Sequence, residues 1–180
     1  MSDWSAALLA YWFDELAPAQ WWKKDVAIDA EIGARFGGLW EAQRSHPAID
    51  FLTDPETARA AVLLFDQVPR NMFRDDPRAY ATDPLARAIA TQAIEAEWDE
   101  GLSLHERQFL YMPLMHSEDL GDQQRSLALF AGLGDPEITD FARKHYEAIE
   151  RFGRFPHRNA VLGRDSTPEE IAAIAAGAHW

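Results

Sequence analysis

Five of the ten prolines follow an aspartate or threonine and open an apolar-periodic run: Asp54-Pro55, Asp76-Pro77, Asp83-Pro84, Asp135-Pro136 and Thr167-Pro168. An N-cap Asp or Thr accepts a bond from an otherwise unpaired backbone N–H, and proline suits the next position, where no N–H is needed. Acids stand just inside several of these starts, as in Pro55-Glu56, Pro136-Glu137 and Pro168-Glu169-Glu170. There they favour the positive end of the helix dipole. A chain punctuated this way is a string of helices.

The spacing between the starts agrees. Leu85, Ile89, Ala93 and Trp98 lie along one face of 84–98, and Ile138, Phe141, Ala142, His145, Ile149 and Phe152 follow a helical period through 136–152. Ser103 begins a helix over 104–112 that Pro113 limits, and a helix over 119–133 stops at Gly132 and Gly134. Helices are also expected over 3–15 and 25–44, separated by Pro18-Ala19-Gln20-Trp21-Trp22. There is no alternating β-branched stretch, hairpin dipeptide or Gly/Ser linker. The expectation is a single all-α domain over 1–180 with about eight helices. The tryptophans read mostly as core by spacing, with Trp180 at the C-terminus the exception.

Composition narrows the function classes. The chain has no cysteine, which removes disulfides, thiolate metal sites and cysteine nucleophiles. A net charge of −13 argues against nucleic acid as a partner. No apolar run reaches the roughly 18–20 residues of a membrane span, so no membrane partner is expected. The segment Met1-Ser2-Asp3-Trp4 lacks the basic region of a secretory signal, and a cytoplasmic protein is expected. No cofactor is expected either.

The charge is uneven. Residues 143–164 hold six basic side chains (Arg143, Lys144, Arg151, Arg154, Arg158 and Arg164) against Glu147 and Glu150, a local net of +4. His145 and His157 fall in the same window. Arginine forks there either pin loops to carboxylates and carbonyls or form an anion site, because the same fork binds carboxylate and phosphate bidentately. His145 sits on the apolar stripe of its helix and reads as a satisfied core histidine.

Two further clusters carry chemistry. His116-Ser117-Glu118-Asp119 follows a helix break, and a histidine beside a carboxylate serves as a general base, a proton shuttle or half a metal site. No metal template such as His-Glu-x-x-His is present, and Ser117 lacks a nucleophile elbow. Asp66-Gln67-Val68-Pro69-Arg70-Asn71 follows the apolar run Ala61–Phe65. These polar groups form either a buried helix-end network or a polar pocket wall, and Arg74, one turn beyond Arg70, joins either.

Three separated motifs carry a resemblance over nearly the whole chain. They are Phe65-Asp66-Gln67-x-Pro69-Arg70-Asn71, Pro113-Leu114-x-His116-Ser117-Glu118-Asp119-x-x-x-Gln123, and Phe152-Gly153-Arg154-Phe155-Pro156-His157-Arg158-Asn159 running on to Leu162-Gly163-Arg164-x-Ser166-Thr167. In these the chain resembles the bacterial family catalogued as domain of unknown function 924. Phe65 and Val68 replace the family's usual Leu and Phe around Asp-Gln, an exchange that keeps the position apolar. The resemblance implies an all-helical, tetratricopeptide-like fold of stacked hairpins, although the tetratricopeptide signature itself is not visible here. It implies no activity. It does mark Asp66, Gln67, Arg70, Asn71, Gln123, Arg154, His157, Arg158, Asn159 and Arg164 as candidate ligand-binding residues, and His116 and Glu118 as a candidate acid–base pair. Three readings follow. One is binding of a small anionic metabolite or acidic peptide terminus against Arg70, Arg154 and Arg158. The second is an enzyme of hydrolase or lyase type using His116 and Glu118. The third is a scaffold whose polar motifs only hold the helices together. The basic segment also leads one to expect Arg154 or Arg158 within hydrogen-bond reach of Asp66 or Glu118.

Overall fold

A computed structural model describes residues 4–177, all helix, turn and loop with no strand among them. Trp180 and Met1–Asp3 lie outside the described residues. The chain divides into two compact units. One comprises the residues through Arg74 together with Arg78–Leu102, and the other Asp75–Pro77 and the residues from Ser103 onward.

The first unit contains α1 (Trp4–Ala10), which runs into a π turn at Tyr11–Glu15, then α2 (Pro18–Trp21), α3 (Val26–Gln43), α4 (Pro55–Val62), α5 (Val68–Met72) and α6 (Asp83–Glu95). α4 packs between α1 and α6, and α5 lies on α3. Residues 60–69 are buried without interruption, and α4 has Ala58, Ala60 and Ala61 where its neighbours approach. Small side chains on a centrally placed helix let the partner helices come close. Around it the core is aromatic: Trp12, Trp40, Phe51 and Phe65 are buried, with the Phe51 and Phe65 rings 4.9 Å apart, edge to face. Trp22 departs from the spacing argument and is 55% exposed. α2 is a single turn that ends before it, so no helical period carries Trp22 inward.

The second unit contains α7 (Leu104–Met115), α8 (Leu120–Ala131), α9 (Pro136–Phe152) and α10 (Pro168–Ala175), with one 3₁₀ turn at Pro156–Arg158. α8 packs on both α7 and α9. Pro113 does not limit α7, which continues to Met115. Every residue from Gln108 to Met115 is buried, and that packing outweighs the one backbone donor that proline removes.

Three of the five expected starts are capped as read. Asp54 accepts from Thr57 N–H, Asp135 from Glu137 and Ile138 N–H, and Thr167 from Glu170 N–H. Asp83 is not a cap: it lies inside the first turn of α6, behind Thr82. Asp76-Pro77 opens only a 3₁₀ turn, Pro77–Tyr80.

Candidate functional site

The Asp66–Asn71 motif folds as a π turn, Leu63–Gln67, that joins α4 to α5. Pro69 has no N–H for the carbonyl four residues back, that of Phe65. Thr82 Oγ1 donates to that carbonyl at 2.6 Å and accepts from Trp40 Nε1 at 3.1 Å. The next two carbonyls also take side-chain donors, Asp66 O from Arg70 Nη1 at 2.7 Å and Gln67 O from Asn71 Nδ2 at 2.9 Å. Asp66 is fully buried; Gln67 Nε2 donates to its Oδ2 at 2.5 Å, and Arg70 stands 3.3 Å from its Oδ1. Arg70 also forks onto Asp83 at 2.6 and 2.9 Å. Burial alone would lower the Arg70 pKa, but the charges of Asp66 and Asp83 outweigh it and raise it. Arg74 makes the same bidentate contact with Asp29, at 2.5 and 2.7 Å. This is a helix-end network, with its arginine forks turned onto carboxylates.

In the second unit two more arginines are clamped. Arg164 forks onto Glu118 at 2.7 and 2.9 Å, and Glu118 Oε1 also accepts Phe155 N–H at 2.7 Å. Burial would raise the Glu118 pKa; the Arg164 and Phe155 bonds outweigh it and hold the carboxyl below its ordinary range. Arg154 forks onto Glu170 at 2.7 and 2.9 Å, and Glu170 also accepts from Thr167 N–H and Asn159 Nδ2. The bond from Arg154 is the largest cause that brings the Glu170 carboxyl down to about 2. Of the two arginines expected near the motif acids, Arg154 takes Glu170, and Arg164 forks onto Glu118, whose carboxyl the charge of Arg158 also lowers. Both oxygens of Glu118 are engaged by Arg164, which makes it a clamp on the loop that carries Phe155.

The remaining motif residues gather around the buried ring of Phe155. The Arg158 guanidinium lies over it at 4.5 Å, and the His145 and His157 rings stand 5.4 and 5.7 Å from it. The His116 ring is 6.2 Å from that of His145. Arg158 and His145 are buried, His116 is half-buried and His157 is exposed. His145 Nδ1 lies 2.8 Å from Phe141 O. A carbonyl only accepts, so Nδ1 carries the proton and Nε2 is the bare nitrogen. Burial pushes His145 down to about 3, helped by the charges of His116, Arg158 and His157 and opposed by the Phe141 bond. Among the described residues, no three His, Asp or Glu side chains are grouped to hold a metal.

The last two candidates support this cluster. Fully buried Gln123 donates through Nε2 to the carbonyls of Leu114, Met115 and Ser117, which closes the end of α7 on either side of His116. Asn159, also fully buried, holds Ser166 and Glu170. Thr82, Asp83, Phe155 and Glu170 are participants the sequence reading did not single out. Only Glu170 carried a local signal, since Thr167-x-x-Glu170 is a capping box.

Comparison with known proteins places the chain. Residues 8–178 match the family described as "Bacterial protein of unknown function (DUF924)". The chain belongs to that family. This DUF924 chain is also similar to a solved structure, the protein of unknown function ATU0120 from Agrobacterium tumefaciens. The two share 39% identity over 96% of this chain and 97% of the other, with a TM-score of 0.90. The comparison with curated proteins found no match. No helix among the described residues is long and apolar enough to cross a membrane.

Proposed function

We propose that this DUF924 protein binds a small oxyanion, a carboxylate or phosphate, at the cluster formed by His116, His145, His157 and Arg158. The observation that carries the reading is the convergence of His145, His157 and the Arg158 guanidinium on the buried Phe155 ring, with His116 beside His145 and His145 held neutral by burial and by the charges around it. An anion seated there offsets the mutual repulsion of these groups and gains charge-assisted hydrogen bonds. An acidic peptide terminus offers the same carboxylate and belongs to the same class of ligand.

Calorimetric titration of the wild-type protein with phosphate and with acetate at low ionic strength tests this. Saturable binding of either anion is expected, weakened at least tenfold in Arg158→Met, which keeps the aliphatic stem over Phe155. No saturable heat, or equal affinity in the variant, overturns the reading.

A further inference from the structure

The packing of α5 on α3 seats a thioether in a glycine groove. Asp29, Gly33, Gly37 and Trp40 follow one stripe of α3 at helical spacing. Arg74 forks onto Asp29 at one end of the stripe, and the Phe73 ring stands 5.1 Å from that of Trp40 at the other. Between them Met72, the last residue of α5, lies on the two glycines. A Cβ added to Gly37 would stand 3.1 Å from Met72 Sδ, and one added to Gly33 would stand 3.8 Å from its Cγ. The groove thus admits the slender sulfur chain only because α3 has no side chain at these two positions.

Sulfur chemistry in this protein falls to methionine, since the chain has no cysteine. Met112 and Met115 are buried in α7, at 3% and 6% exposure, whereas half-buried Met72 keeps part of its surface in water. We propose that Met72 is an oxidation site, where peroxide converts the thioether to the sulfoxide and loosens α5 from α3. The sulfur lone pair forms an S–O bond as the O–O bond of hydrogen peroxide breaks. Sulfur gives up two electrons, and the released hydroxide takes the proton of the transferred oxygen and leaves as water. The new oxygen accepts hydrogen bonds and donates none. Gly33 and Gly37 lie inside α3, where each N–H is already given to the carbonyl four residues back, so an oxygen turned into the groove finds no donor. Turned to water, it draws the side chain off the glycines. Either orientation weakens the seat between the Arg74 and Phe73 contacts. A sulfoxide reductase reverses the step, oxidising two thiols to a disulfide and releasing the oxygen as water.

Peptide mass mapping of the full chain during exposure to hydrogen peroxide tests this. The gain of one oxygen should appear at Met72 roughly tenfold faster than at Met112 and Met115. The oxidised protein should melt several degrees lower, and amide exchange over residues 70–74 should quicken. Methionine sulfoxide reductase with dithiothreitol should restore both. Met72→Leu, close in volume, should melt near the wild type and show no shift after peroxide. The mass map and exchange rates of the wild-type protein decide the matter if that variant does not fold. Similar oxidation rates at the three methionines overturn the proposal. So does an oxidised Met72 that leaves melting and exchange unchanged, or an equal peroxide shift in Met72→Leu.

Discussion

Arg70→Ala would leave Asp66, fully buried, without its guanidinium and Asp83 without its fork. Removing one partner of a buried pair costs roughly 3–5 kcal/mol, so urea titration should show a loss in that range. Arg70→Lys should recover little of it, because an ammonium cannot reproduce the fork. A loss below about 1 kcal/mol for Arg70→Ala would remove the network from the account of stability. Acid sensitivity is also set by single residues. His145 titrates near 3 in the folded chain and near its ordinary value when unfolded, so the unfolded state binds the extra proton between those limits. Stability should rise with pH from about 3 to 6.5, and His145→Phe should flatten that stretch. Glu170, lowered to about 2, adds stability that is present above its ordinary value and lost as pH falls through the folded one. Glu170→Gln should remove that lower part of the acid limb. Thermal melts from pH 2.5 to 7 read both, and unchanged slopes in the two variants would contradict these assignments.

At the scale of the element, the π turn between α4 and α5 is held by a substitution of donors: Pro69 withholds an N–H and Thr82 supplies a hydroxyl. Thr82→Val should cost about 1–3 kcal/mol by stranding Phe65 O and Trp40 Nε1. Pro69→Ala restores a backbone donor, so the same change should cost less in that background. Additive losses in the double-mutant cycle would show that the two donors do not share one carbonyl. Helix starts of this kind were legible where the cap is local, as at Asp54, Asp135 and Thr167. Asp83 was misread because its carboxylate is taken by Arg70, thirteen residues earlier and on another element, which no periodicity encodes. The same reason hid the partners of Glu118 and Arg154. The motifs showed that these side chains are specified together, while the pairing of Arg164 with Glu118 and of Arg154 with Glu170 follows from how loops close in space. Pro113 was read as a stop because a local rule carries no knowledge of burial, and burial decides the last turn of α7. His145 was legible as a buried histidine from its place on the α9 stripe. Its encirclement by His116, His157 and Arg158 was not.

At the scale of the whole molecule, the chain carries a net charge of −13, and its proposed oxyanion site lies in the second unit, where Arg154 and Arg164 of the basic segment are set against Glu170 and Glu118. The histidines supply an internal comparison. His145 and His157 stand at the Phe155 ring with His116 beside His145, whereas His46 pairs with Asp50 in the first unit and His105 lies beside Gln108 near the start of α7. The most direct measurement is an NMR titration of the imidazole resonances with phosphate at constant pH and ionic strength. Resonances of His116, His145 and His157 should move together along one saturable curve, with His46 and His105 unmoved. Parallel, unsaturating drift of all five, or no movement in the three, would contradict an oxyanion site at this cluster.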